Sequence, residues 1–565
     1  MSDRTADPRT GTWTALASVP AAVALLVAGV MGRGMWFFSD DWNMFGEYHS
    51  GNLLEPFNGH LSLVPAGLYQ LLFQLRGVSS YTPYRLLGLA ALAVLGFQVA
   101  RLAVVRVDGA TLRRVPLAPV VGALAVAAVL WASTGQMNLL FPFLLNFTVT
   151  IAALPAIWWH LDRAERGAGI AGEAAASVWL AVALATSGLG VMTALAVGIE
   201  LLVRRAPLRR WLVLAPGPAL WAIWFLTHRD ANELSTDPGA VVSYTARMLM
   251  AGLTSLGAGW APAGVLVGVG LLVLVVLAAT RWRSLDGRAL GALAAPVAFA
   301  LFTAVTRIGI EPRIEPDELR YSWAVAAYLV LAALVLVRPV PALRLPEWLG
   351  AALVGVGAIL VVAGAVQLLR DMDRWVDQVD AGERRVRVIL AAAEAVGPER
   401  MPPELVLPIN FVPVTAGEYF LGVEAIGSPI AGPPPGDLGA DAESNRAADE
   451  LLVEELPIGV LPESGAAECT PIGQPEPVDG SFAAPPGARL RIDRSAVRGP
   501  ASVGVARFSE PGDGPELPLP DDPIVIVDLP RDAPEADATI GLFYELALPE
   551  GALAEQCEWS QAGAG

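Results

Sequence analysis

The sequence predicts a polytopic α-helical membrane protein that carries an exported, mainly β domain at its C-terminal end. Three observations predict it. The chain of 565 residues is 54% hydrophobic and only 16% charged, and its apolar residues gather in runs near the ~20 residues that span a bilayer core. Charge is unevenly placed: residues 370–565 hold 35 Asp and Glu against 13 Arg, net −22, whereas residues 1–369 are net +5. Beyond the last long apolar run come short segments such as "ARLRIDR", "ASVGVARF", "PIVIVDL" and "TIGLFYELAL", parted by Pro, Gly and Asp clusters at the spacing of a β-sandwich.

Eleven runs fit spans, at roughly 13–32, 84–105, 115–133, 143–160, 174–186, 188–203, 211–227, 262–280, 289–306, 321–337 and 347–369. The fifth and sixth come from "AAASVWLAVALATSGLGVMTALAVGIELLVRR", broken by Ser187, Gly188 and Gly190 into two short helices. Arg residues cluster in alternate loops: Arg106, Arg113 and Arg114, then Arg163 and Arg166, then "RRAPLRR" at 204–210, then Arg281, Arg283 and Arg288, then Arg338 and Arg344. Basic residues in short loops stay on the cytoplasmic side, so the N-terminus is expected on the cytoplasmic side of the plasma membrane. An odd number of spans then places the first loop and everything after residue 369 outside. No small-residue cleavage site follows the first run, which argues against a signal peptide. The expected domains are 1–369 in the membrane with a first external loop at 33–83, a surface helix and linker over 370–440, and an acidic β-rich domain over 441–565.

The surface helix is read from "RDMDRWVDQVDAGERRVRVILAAAEAVG" and the linker from "SPIAGPPPGDLGAD". Cys469 and Cys557 are the two cysteines, and both fall in the exported part, where a disulfide can close a small domain. The acids there follow no metal-loop spacing and read as a solvated surface.

The first loop holds "FFSDDWNMFGEYHSGN", with Asp40 and Asp41 directly after an apolar run. The plain reading makes Ser39 or an Asp the cap of a short interfacial helix, with Trp42, Phe45 and Tyr48 at headgroup depth. One cap needs one residue, however, and a second carboxylate beside a bilayer is costly without a task. Asp40, Asp41 and Glu47 offer oxygen ligands to a divalent cation, although no metal-specific spacing demands one, and His49 shares the loop. His60 begins an amphipathic helix, where the plain reading is a hydrogen-bonded structural histidine. Of the external arginines Arg85, Arg229, Arg247, Arg307, Arg313 and Arg320, the best anion ligand is Arg320, which opens the helix "YSWAVAAYLVLAALVLV" where backbone donors and the helix dipole favour negative charge. Arg85 comes second. The other four read as snorkelling or headgroup contacts. Glu200 is expected to pair with Arg204 or to face the cytoplasm.

The order of these features resembles a family. A first span, an acidic pair in the first external loop, a short helix, "GHLSLVPAGLYQLLFQLRG" and then Tyr84-Arg85 opening the next span are similar to the GT-C class of integral membrane glycosyltransferases. That class includes protein O-mannosyltransferases, aminoarabinose transferases and mycobacterial arabinosyltransferases, many with an "HPPL…lfG…aRl" run. The broken "ATSGLGVMTALAVGIELL" hairpin and "DELRYSW" at 317–323 extend the resemblance over roughly residues 13–340. The chain departs from the pattern in having Gly59-His60-Leu61 without a double proline, and Asp-Asp-Trp where several branches have Asp-Glu. The sugar and acceptor are therefore not named by it.

The resemblance implies inverting transfer of a sugar from a polyprenyl-phosphate donor to a hydroxyl of a cell-envelope glycan or protein on the external face. Asp40 or Asp41 would be the general base, with Asp40 favoured by the family position. Arg320 and Arg85 would hold the leaving phosphate, with Tyr321 lining the lipid-phosphate site and His60 positioning the acceptor or donating to a phosphate oxygen. A flippase for lipid-linked saccharides or a non-catalytic envelope scaffold is the competing class, but the span interiors are almost free of charge and no repeat is evident. No P-loop, dinucleotide fingerprint, HExxH or nucleophile elbow is present, as suits a lipid-borne donor, and nothing points to nucleic acid.

Overall fold

The structure is a computed structural model, which describes residues 8–46, 52–57, 59–107, 111–112, 115–228, 237–280, 285–308, 314–337, 347–407, 409, 414–430, 442–455, 459–462, 468–471, 481–484, 488–509, 513–529, 544–549 and 552–558. The chain forms two compact units. The first comprises residues 1–35, 51–72 and 81–377, and the second comprises 36–50, 73–80 and 378–565. Most of the first external loop expected at 33–83 thus divides between the two, and the expected boundary near 370 falls inside one continuous helix, Glu347–Val396. That helix joins the eleventh run to the charged segment after it; at ~1.5 Å per residue it is far longer than a bilayer core. The Pro-rich linker lies mostly outside the described residues.

The first unit is a helical membrane bundle. Each of the eleven apolar runs is helical, yet seven of the described helices are long and apolar enough to cross a bilayer, or eight if the bent pair Leu208–Leu214 and Pro216–His228 is one span. The helices Leu117–Leu130 and Gly190–Val203 have 14 residues each and fall short. Leu145–Arg163 and Gly169–Thr186 meet in a turn at Gly167 and Gly169, whose φ angles of +119° and +51° suit glycine, and the two helices pack against each other. Helix Pro238–Leu256 was not among the eleven runs because Ser243, Tyr244, Thr245 and Arg247 interrupt its apolar face; Asp237 caps it by accepting from the Gly239 and Ala240 amides.

Large apolar side chains such as Leu266, Val269 and Leu272 on Ala261–Thr280 face outward, a surface that lipid covers. The centre of the bundle is Leu319–Leu336, buried over most of its length, with its Trp323 Nε1 donating to the Val129 carbonyl at 2.8 Å. Its neighbour approaches closely at Gly252, where a Cβ would lie 2.3 Å from Val325 Cγ1.

One end of the bundle is held by charge. Arg288 is buried and donates to Glu200 at 2.9 Å and to both oxygens of Asp162 at 3.1 and 2.9 Å. Arg204 also meets Glu200 at 3.3 Å, the pair expected from the sequence, but Arg288 makes the closer contact at 2.8 Å. Backbone packing makes this approach possible: a Cβ on Gly287 would meet the Glu200 carbonyl at 2.6 Å, and one on Gly291 the Ala196 carbonyl at 2.2 Å.

The C-terminal part of the second unit is the β-sandwich the strand spacing predicts. A five-stranded antiparallel sheet runs in the order Gly459–Pro462, Ile524–Asp528, Arg489–Asp493, Leu553–Glu558, Glu468–Pro471. A four-stranded sheet runs Glu516–Leu519, Ala501–Ala506, Tyr544–Ala547, Ser481–Ala484. Alternate residues Leu490, Ile492, Val525 and Val527 of the first sheet share one core with Val503, Val505, Tyr544 and Leu546 of the second. Cys469 and Cys557 are direct Cα partners in neighbouring strands.

Candidate functional site

In the first unit the site is built around His60. Phe57 and His60 exchange both backbone hydrogen bonds at 2.9 Å, closing a tight turn in which Gly59 has a φ of +75°. The turn presents the imidazole to the break between Gly169–Thr186 and Gly190–Val203. A Cβ on Gly188 would stand 2.9 Å from Nδ1, so the glycine lets the ring approach the broken hairpin. On the ring's other edge, Nη2 of Arg307 lies 3.1 Å from Nε2. A guanidinium can only donate, so Nε2 carries the lone pair and the ring proton sits on Nδ1.

Burial, followed by the charges of Arg307 and Arg320, brings the His60 pKa down to about 3. The ring is neutral at physiological pH and serves as an acceptor that orients Arg307. Arg307 ends the helix Gly287–Arg307, where a cation complements the helix dipole. From sequence alone Arg307 counts as a surface contact, because a terminal arginine looks the same whether it reaches for lipid or for a partner 247 residues away.

Arg320 lies in the first turn of Leu319–Leu336, 5.3 Å from the centre of the Tyr321 ring and 3.9 Å from the Glu318 carboxylate. Tyr321 is buried, its ring 6.0 Å from both Phe147 and Phe299. The fold therefore joins His60, Arg307, Arg320 and Tyr321 from three distant segments into a cationic corner backed by aromatic rings. Arg85 has another engagement. Its guanidinium donates to the Ala28 carbonyl at 2.6 Å and to the Gly32 carbonyl, capping the helix Val19–Met31. Arg247 pairs with Glu315 at 3.3 Å, and Arg229 and Arg313 lie outside the described residues.

The acid pair belongs to the second unit. Asp40 and Asp41 open the helix Asp40–Gly46, directly after Ser39, whose φ of +51° is unusual for a residue with a side chain. Asp41 Oδ2 accepts from the Phe38 amide at 3.0 Å and the Asp41 amide donates back to the Phe38 carbonyl at 3.1 Å, so Asp41 ties off the helix start. Both carboxyl groups are buried. Trp42 and Phe45 are buried in protein as well, which corrects the expectation of an interfacial helix with these rings at headgroup depth. Trp42 packs against Trp36 at 5.1 Å and Phe45 at 5.9 Å. Aromatic side chains mark an interface and a packed loop equally well. Glu47, Tyr48 and His49 lie outside the described residues. Among the described residues no three His, Cys, Asp or Glu side chains gather as a metal site.

No protein-family model matches the chain, and no curated protein matches it. Among solved structures it is similar to the crystal structure of ArnT from Cupriavidus metallidurans bound to undecaprenyl phosphate, at 15% identity and a TM-score of 0.42, over 71% of this chain and 84% of that one.

Proposed function

We propose that this multi-pass membrane protein is a glycosyltransferase of the GT-C type, moving a sugar from a polyprenyl phosphate to an acceptor hydroxyl with inversion at the sugar carbon. One observation carries the reading: two guanidiniums, Arg307 and Arg320, stand around a neutral His60 at adjoining ends of two membrane helices. Such a corner is matched to a phosphate that gains charge as it leaves. The Tyr321 ring lies beside the Arg320 guanidinium, and His60 accepts from Arg307 and so orients its fork.

The acceptor oxygen attacks the anomeric carbon opposite the phosphate, the C–O bond to phosphate breaks, and the acceptor proton passes to a carboxylate. Asp40 is that base. Asp41 accepts from the Phe38 amide, which gives it a backbone role at the helix start. The reaction takes place on the external face, as the arginine distribution of the loops suggests.

The test uses the full-length protein in detergent with a panel of radiolabelled polyprenyl-phosphate sugars. Wild type should turn over one donor, Asp40→Asn should lose turnover while still binding it, and Arg307→Gln should bind it weakly. Donor binding with no turnover by any form would replace the transferase with a flippase.

A further inference from the structure

The helix that carries the two acids is packed onto the C-terminal region within the second unit, and the contacts are close enough to be specific. Phe45 lies over Gly422 of the helix Ala416–Ile426, where a Cβ would come within 2.2 Å of the ring edge. Gly46 faces Glu418, where a Cβ would lie 2.9 Å from the glutamate Cβ. Phe45 also meets Tyr419 at 5.9 Å and Phe73 at 6.2 Å. Before the acids, Trp36 lies under the Arg387 guanidinium at 4.1 Å.

The receiving surface is itself locked. Thr415 and Glu418 form a reciprocal capping box, with the Glu418 carboxylate accepting from the Thr415 amide at 2.8 Å and the Thr415 hydroxyl accepting from the Glu418 amide at 3.2 Å. The Tyr419 hydroxyl donates to Glu394 at 2.6 Å, and burial together with that carboxylate raises the phenol pKa, so it stays a donor. Two glycines meeting side chains at distances no Cβ could tolerate are the mark of a seat shaped for one occupant.

We infer that the C-terminal region is the seat of the acid helix, with Gly422, Tyr419 and Arg387 as positioning residues that set where Asp40 stands. The inference rests on the transferase reading for its catalytic consequence, and on the packing alone for the seat. Gly422→Ala should displace Phe45 and the helix behind it, while the arginine corner of the first unit is unaltered.

Steady-state kinetics of full-length Gly422→Ala should show kcat reduced by about tenfold or more, as a misplaced reacting group costs, with KM for the lipid donor nearly unchanged. Gly422→Ala combined with Phe45→Leu, which opens room for the new methyl, should recover most of kcat. Gly46→Ala, which sets a methyl against Glu418, should lower kcat in the same way. Equal losses in kcat and donor affinity, unrelieved in the double variant, would reduce the contact to general packing. Unchanged kcat in both glycine variants would equally overturn the seat. A lowered Tm of Gly422→Ala that Phe45→Leu restores, in a protein whose wild type turns over no donor, would sink the transferase reading by itself and leave the seat standing.

Discussion

Arg307 donates to Nε2 of His60 across 3.1 Å, joining the end of one membrane helix to a tight turn 247 residues earlier in the chain. The pair turns two unremarkable sequence features into one oriented cation. Its chemistry separates substitutions that look similar.

At His60, glutamine keeps an acceptor for Arg307 and leucine does not. His60→Gln should retain most of the donor affinity, whereas His60→Leu should weaken it by roughly tenfold, about the value of one charge-assisted hydrogen bond. Titration of a radiolabelled donor into both variants checks this.

The depressed His60 pKa also sets a pH dependence. The unfolded chain takes up a proton near pH 6.5 and the folded protein only near 3, so the unfolded state binds more protons between those values. Stability is fully present above about pH 6.5 and declines as pH falls toward 3. Thermal unfolding in detergent across this window should show a shallower acid loss for His60→Gln than for wild type.

Arg85 caps the first span, so its loss should act on stability and not on donor binding. Arg85→Gln leaves the Ala28 and Gly32 carbonyls without their charged donor, a cost of about 2–3 kcal/mol. A lowered Tm with unchanged KM is the expected result. A selective rise in KM would return Arg85 to the phosphate site.

The two acids should separate in the same way. Asp40→Asn should reduce kcat by about a hundredfold or more, the scale of a lost general base. Asp41→Asn should cost about 1 kcal/mol of stability through its weakened bond to the Phe38 amide. Parallel Tm and turnover measurements on both variants decide the assignment.

Cys469 and Cys557 are register partners, and paired residues of antiparallel strands have Cα atoms ~4.5–5.5 Å apart, within the range a disulfide bridges. Non-reducing peptide mapping should recover the two cysteines in one linked fragment. Replacing both by Ser should lower the sandwich's stability by about 2–4 kcal/mol.

Some of the reading was legible because it depends on neighbours along the chain. Apolar runs announced the helices, and the alternation in "ARLRIDR" and "PIVIVDL" announced strands whose inner residues do face a common core. Gly188 was legible as a break, though not as the surface on which His60 rests. Helix Pro238–Leu256 escaped because its polar residues hide a face that only packing against other helices reveals.

The sequence by itself determined that this is a multi-pass helical protein with a β-sandwich near its C-terminal end, and it marked Asp40, Asp41, His60 and Arg320 as residues to watch. Hydropathy and strand alternation are local properties, written into consecutive residues and independent of what the chain later meets. The tertiary structure alone decided that Arg307 turns to His60, that Arg85 turns to the first helix, and that the acid helix seats on Gly422 and Tyr419. A guanidinium or a phenylalanine has the same local signature at a lipid surface as in a packed contact. Which of the two it makes depends on the residues that distant parts of the chain bring within a few ångströms, and that choice belongs to packing.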